Sequence, residues 1–199
     1  FNTMTYGTLE IKRITEVAIE IAKKRKNNIC SVDKANVLEV SQLWRETVSK
    51  ILEKETQINQ QNMYVDNAAM QLIKNPSQFD VILTNNLFGD ILSDLAAMLS
   101  GSIGMLPSAS INNFGPGVFE PVHGSAPDIA GKDLANPIAM ALSTAMMLKI
   151  GLNEIEASQI IETAIDKVLL QGFRTPDLDD GSSKIISCSE MGEKIINEI

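Results

Sequence analysis

Asp90 and Asp94, four residues apart, are a pair whose type and spacing could do chemistry. On a helix they lie about 40° apart around the axis and ~6 Å apart along it. They border an apolar stripe of Leu87, Ile91, Leu95 and Met98 rather than facing away from it. Like charges at this spacing repel, so as structure alone the pair is a small liability. Between Lys74 and Lys132 there is no Lys or Arg to compensate it. A divalent cation is the natural counter-charge; the bland alternative is a pair of carboxylates that simply faces water.

Three further features could serve the same chemistry. Lys34 follows the predicted strand Ile29 to Val32 in a loop Asp33-Lys34-Ala35-Asn36, at the sheet edge where α/β proteins build sites. Desolvated, or set beside other cations, it could act as a base; as an exposed loop lysine it would do nothing. Asp66 stands where a strand passes into a helix, so it reads as an N-cap unless the fold or a partner subunit brings it to the aspartate pair. Glu120 to Gly131 is a loop of Gly, Pro and small residues. In it Gly124, Ser125 and Ala126 leave backbone N–H groups open to a phosphate or ribose. It is not G-x-G-x-x-G, so an ordinary dinucleotide fingerprint is not supported. Asp128 could accept from ribose hydroxyls and would repel a 2′-phosphate, favouring NAD over NADP. His123, the single histidine, abuts that loop and is otherwise structural.

The elements that must position these residues alternate. Apolar spacing predicts helices over Leu9 to Lys26, Leu38 to Glu55 and Asn67 to Lys74, the second turning Leu43, Trp44, Val48 and Ile51 inward. Strands are predicted at Ile29 to Val32, Gln61 to Val65 and Phe79 to Thr84, the last apolar enough to be buried on both faces. The aspartate helix runs on to about Ser100. Gly101, Gly104 and Pro107 then mark a break and a domain boundary. Ser108 to Ile111 and Val118 to Glu120 read as strands joined by a turn around Gly115-Pro116-Gly117. Helices at Pro137 to Lys149, Glu154 to Gln171 and Ser189 to Glu198 complete an α/β chain.

Composition narrows the partners. A formal charge of −8 argues against nucleic acid and against an anionic membrane surface. The longest apolar run, Ile138 to Leu148, is too short to span a bilayer. Cys30 and Cys188 fit no metal or disulfide spacing and read as thiols of a reducing compartment. With no signal peptide visible, a cytoplasmic protein is expected.

Several segments together carry a resemblance. They are Val32-Asp33-Lys34-Ala35-Asn36-Val37-Leu38, Tyr64-Val65-Asp66-Asn67, Asn86-Leu87-Phe88-Gly89-Asp90-Ile91-Leu92-Ser93-Asp94 and the loop Glu120 to Gly131. Gly104 to Ser110 and Ala135-Asn136-Pro137 add to them. In order, over essentially the whole chain, they resemble the metal-dependent, decarboxylating β-hydroxyacid dehydrogenases, the isocitrate/isopropylmalate dehydrogenase family, on its isopropylmalate branch. The resemblance implies a two-lobed α/β fold with a large mixed sheet. Residues 1–100 would form the dimer-forming, metal-bearing and catalytic lobe, and 101–199 the C-terminal part of the cofactor-binding lobe.

Position by position, the resemblance implies that Asp90 and Asp94 bind Mg²⁺ or Mn²⁺, with Asp66 reaching the metal and substrate from the other subunit of a homodimer. Lys34, also reaching across, would be the base, and Tyr6 would help protonate the enol carbon after CO₂ leaves. Asn36 and Val37 would lie near substrate and nicotinamide. Glu120, His123, Gly124, Ser125, Ala126, Pro127, Asp128, Ile129 and Asn136 would hold NAD. The implied reaction is the NAD-dependent oxidative decarboxylation of (2R,3S)-3-isopropylmalate to 2-oxo-4-methylpentanoate, in leucine biosynthesis. D-malate or tartrate dehydrogenation is the alternative within the family. A non-catalytic regulatory subunit is the alternative outside that chemistry, disfavoured because Tyr6, Lys34, Asp66, Asp90 and Asp94 are all retained. The family's early Gly-rich turn and substrate-gripping arginines have no match here, and Phe1-Asn2-Thr3 is an odd start. The expectation is a C-terminal fragment, inactive by itself.

Overall fold

Spacing of apolar residues sets the first half of the chain as an alternating β/α unit, Phe1–Ala96, in the computed structural model, which describes residues 1–112 and 116–199. Helix α1 (Thr8–Lys23) opens where the Glu10 carboxylate accepts from the Gly7 backbone N–H at 2.6 Å. Strand β1 (Asn28–Asp33) follows, then α2 (Glu39–Leu52), β2 (Asn59–Tyr64), α3 (Val65–Lys74), β3 (Val81–Thr84) and α4 (Asn86–Ala97). The three strands form a parallel sheet in the order β2-β1-β3, with Asp33 opposite Tyr64 and Val32 opposite Thr84. Because the sheet is parallel, all three strands end at the same edge.

The core lies on both faces of that sheet. Ile11, Ala18, Ile19 and Ala22 of α1 meet Trp44, Val48 and Leu52 of α2 over Ile29 and Leu83. On the other face Cys30, Val32, Met63, Ala68, Leu72 and Leu92 pack together. Each fully buried aliphatic side chain contributes about 1.5–3 kcal/mol. Trp44 also donates its indole N–H to Ser31 Oγ at 3.2 Å, so its polar end is satisfied inside the core. Leu43 and Ile51, expected to point inward, are half-buried at the margin of this core. Cys30 and Cys188 are free; burial pushes the Cys30 thiol up to about 11, which leaves it protonated and inert.

Strand β3 packs on both faces as expected, Leu83 and Val81 in one core and Ile82 in the other, although Val81 and Ile82 are only half-buried. Asp66 is not the N-cap of α3: Tyr64 holds that position and Asp66 lies in the first turn. Of the stripe Leu87, Ile91, Leu95 and Met98, Leu95 packs against the core that holds Leu92. Phe88 and Leu92 are buried, while Leu87, Ile91 and Met98 are 51%, 55% and 60% exposed. The helix carries two apolar stripes, and only packing chooses between them.

The second unit, Ala97–Ile199, has helices as its longest elements. It contains the antiparallel pair β4 (Pro107–Ser110) and β5 (Val118–Pro121), then helices α5 (Ile138–Met146) and α6 (Ile155–Leu170), a short parallel pair β6 (Phe173–Arg174) and β7 (Lys184–Ile185), and α7 (Cys188–Glu198). The turn expected at Gly115-Pro116-Gly117 has its Gly115 outside the described residues. A π-helical turn, Met147–Gly151, extends α5. Helix α7 starts in a capping box: Ser187 Oγ accepts from Glu190 N at 3.3 Å, and Glu190 Oε2 accepts from Ser187 N at 2.9 Å. Its core joins Ile138, Ala164, Ile165, Val168, Met191 and Ile195. The two-residue strands β6 and β7 have no alternation long enough to be read from sequence. Parallel and antiparallel pairing with flanking helices make this an α/β fold. Among the described residues no helix is long and apolar enough to cross a membrane.

Candidate active site

The shared edge of the parallel sheet gathers the residues that could act. Lys34 follows the last residue of β1 and Asp66 lies just beyond the end of β2, and their side chains form an ion pair although they are 32 positions apart. The pair is fastened from behind. Asp33, 1% exposed, receives Arg45 in a two-pronged contact, Nε to Oδ2 and Nη2 to Oδ1, both 2.8 Å. The Ala35 N–H also donates to Asp33 Oδ1 at 2.8 Å, and the Lys34 carbonyl accepts from the N–H groups of Val37 and Leu38 at 2.9 Å. The loop is thus tied on both sides of Lys34, with Asn36 and Val37 exposed at its tip.

Lys34 holds the Asp66 carboxyl below the ordinary aspartate range, its hydrogen bond being the main cause; the carboxylate's own backbone N–H adds to it. The sign follows. Any stability from this pair is present above the ordinary aspartate value, about 3.9, and is lost as the pH falls through the lower folded value. Carbon-13 titration of Asp66 should show its midpoint rising toward the ordinary value in Lys34→Ala; an unchanged midpoint would show that the lysine is not the cause.

Helix α4 begins at the same edge, after β3. Asn85 Oδ1 accepts from Phe88 N at 2.9 Å and starts the helix. The Asn86 N–H donates to Tyr6 Oη at 2.9 Å, while the Tyr6 ring meets Trp44 edge-on at 5.6 Å. Tyr6 therefore has its oxygen fixed at the helix N-terminus and its own O–H left to donate. Asp90 and Asp94 lie on α4 and are exposed, and among the described residues neither carboxylate has an ion pair or a hydrogen bond. Oxygen-only donors with no competing cation fit Mg²⁺ or Mn²⁺. Within one chain they do not gather a third acidic ligand: among the described residues no cluster of three His, Cys, Asp or Glu could hold a metal. Asp66 pairs with Lys34 through Oδ1.

In the second unit, Glu120 is exposed on β5 and leads into the Gly/Pro loop. Gly124, Ser125, Ala126, Pro127 and Asp128 are exposed, and Ile129 is half-buried. Among the described residues the N–H groups of Gly124, Ser125 and Ala126 donate to nothing. A Cβ on Gly124 would meet no atom within 4 Å, and Ala126 has φ 41°, so this stretch presents open backbone donors that fit a phosphate-bearing cofactor. His123 Nδ1 lies 2.9 Å from Gly124 O. Asn136 differs from the others: it is buried, and its side chain is already occupied. Its Oδ1 accepts from Ile138 N at 3.0 Å and its Nδ2 donates to Asp177 Oδ2 at 3.1 Å. Only its backbone is left for a ligand. Gly104 makes room for it, since a Cβ there would lie 2.7 Å from Asn136 Cβ and 3.0 Å from Asp177 Oδ2. Gly104→Ala should destabilise this unit by about 1–3 kcal/mol, measured by urea unfolding; an unchanged midpoint would mean that the neighbours yield freely.

Asp33 and Arg45 were missed from sequence. The signal was there: Asp33 is a charged residue closing a strand otherwise apolar or small, and Arg45 lies beside the inward Trp44 on the next helix.

Comparison with known proteins bears on this arrangement. Residues 1–195 match the family described as isocitrate/isopropylmalate dehydrogenase. The chain is 74% identical, over its full length, to a 3-isopropylmalate dehydrogenase of Prochlorococcus marinus strain MIT 9312, covering 56% of that protein. It is 60% identical to one from Synechococcus sp. strain CC9902, again covering 56% of it. It thus spans about half the length of the curated relatives it matches. Among solved structures, isocitrate dehydrogenase from Methylococcus capsulatus is 38% identical with a TM-score of 0.93, over 98% of this chain and 57% of that one. A beta-decarboxylating dehydrogenase from Thermococcus kodakarensis is also 38% identical, with a TM-score of 0.86, over 100% of this chain and 57% of that one. With the family match running nearly end to end, the chain belongs to the isocitrate/isopropylmalate dehydrogenase family.

Proposed function

We propose that this chain carries the acid–base and metal-ligand residues of an NAD-dependent, decarboxylating 3-isopropylmalate dehydrogenase of leucine biosynthesis, acting in the cytoplasm as a homodimer. The observations that carry the reading are Lys34 paired with Asp66 and Tyr6 Oη at the start of α4, at one sheet edge, with Asp90 and Asp94 further along that helix, unpaired among the described residues. The 74% identity to the Prochlorococcus marinus protein supports isopropylmalate as substrate.

In this reading Lys34 Nζ takes the substrate hydroxyl proton, and Tyr6 Oη gives a proton to the carbon left after CO₂ departs. Asn36 and Val37 line the substrate side. Asp90 and Asp94, with Asp66 of a second copy, hold Mg²⁺ or Mn²⁺. When bound, the cation supplies Lewis-acid charge that favours loss of the hydroxyl proton and offsets the negative charge developed as CO₂ leaves. NAD supplies the hydride acceptor, with Glu120, His123 to Ile129 and the Asn136 backbone placing it. Residues 1–100 form the dimer-forming catalytic lobe and 101–199 the C-terminal part of the cofactor lobe. Leu87, Ile91 and Met98, exposed beside the aspartates, suit burial against the second copy.

The test uses a full-length protein in which the Prochlorococcus marinus relative supplies the part that this chain does not span. Mn²⁺-dependent reduction of NAD should favour isopropylmalate over D-malate and isocitrate. Preference for D-malate or isocitrate would overturn the substrate, and turnover indifferent to chelation would overturn the metal. Lys34→Ala and Asp90→Asn should each be inactive, and mixing them should restore activity through hybrid dimers in which one site is intact. Failure of the mixture to recover any activity would refute the shared site.

A further inference from the structure

We propose that Arg45 is a positioning residue that sets the spacing of Lys34 and Asp66, an inference that rests on the function proposed above. A single side chain from α2 touches the ends of two parallel strands. Its guanidinium grips Asp33, the residue before Lys34, through Nε and Nη2, both at 2.8 Å. Its Cζ also lies 4.7 Å from the centre of the Tyr64 ring, and Tyr64 stands two residues before Asp66. Asp33 and Tyr64 are direct partners in the β1–β2 register, so Arg45 spans the last pair of the ladder.

The consequence is geometric. Past that pair the strands stop, and among the described residues no further ladder hydrogen bond joins the two loops. Arg45 supplies the missing tie. A planar fork holds a carboxylate in one orientation, and a stacked guanidinium holds a ring at one height. Asp33, fixed in this way, also receives the Ala35 N–H at 2.8 Å, which clamps the backbone on the far side of Lys34. The lysine and the aspartate are thus placed by one residue that touches neither.

The test compares Arg45→Met and Arg45→Lys in the completed protein, with Lys34→Ala as control. Turnover per folded site should fall roughly 10- to 100-fold in both Arg45 variants, as expected for a small misplacement of reacting groups. The KM for NAD should not change. Mn²⁺ affinity, read from the electron paramagnetic resonance of the free ion, should weaken about 10-fold or more. Lysine keeps the charge but lacks the fork, so Arg45→Lys folds if only charge is needed and decides the matter should Arg45→Met not fold. Wild-type turnover and Mn²⁺ affinity in Arg45→Lys, or a lowered melting temperature alone, would overturn the proposal. If Lys34→Ala also turns over normally, the function proposed above fails with it; if Lys34→Ala is inactive, only the positioning role fails.

Discussion

Lys34→Ala in the completed protein is expected to lower kcat by about 10²–10⁴-fold and to leave the KM for NAD unchanged. The lysine is half-buried at the strand end, with its loop tied by Asp33 and by two N–H groups on its own carbonyl. It is therefore held in place, and in the proposed mechanism losing it removes a fixed group beside the substrate hydroxyl rather than a mobile surface charge. Lys34→Arg should not restore the rate, because a guanidinium stays protonated and cannot take a proton. Steady-state assays with saturating Mn²⁺ read the effect. A kcat within a few-fold of the unaltered protein would remove Lys34 from the mechanism.

The second large effect is on stability, and it is asymmetric. Arg45→Met should destabilise the first unit by about 3–5 kcal/mol, because it strands the carboxylate of Asp33 in the interior without its cation. Asp33→Asn should cost less, roughly 1–2 kcal/mol. The exposures explain the difference: the Asp33 side chain is 1% exposed and cannot reach water, whereas Arg45 is 29% exposed and can. The Asp33 hydrogen bond also keeps the guanidinium's pKa raised. Trp44, the one tryptophan of the chain, packs in this unit and reports its unfolding in urea by fluorescence. Equal losses in the two variants, or a larger loss in Asp33→Asn, would show that the pair is not a buried charge held by a solvated one.

Much of the framework was legible in the residues. The alternation of strands and helices, the placement of Asp90 and Asp94 on one helix, and Lys34 at a strand end all follow from local periodicity and turn chemistry. These depend on neighbours within a few positions, which is the range that sequence patterns report. Asp66 was legible as a residue at a strand-to-helix passage but not as the partner of Lys34. That pairing depends on the β1–β2 register, which joins positions far apart in the chain.

Asp90 and Asp94 mark the division most plainly. Their spacing, their shared helix and the lack of a Lys or Arg between Lys74 and Lys132 were settled by the chain alone. Which face of that helix enters the core was not. Leu87, Ile91 and Met98 make as good an apolar stripe as Phe88 and Leu92, and one helix considered alone has no reason to prefer either. Tertiary packing chose Phe88 and Leu92, with Leu92 joining Val32, Met63 and Leu72, and so turned the other stripe and both carboxylates outward. The same holds for Arg45, whose role depends on two strands lying side by side. Burial and pairing are properties of elements brought together, so only the folded chain decides them.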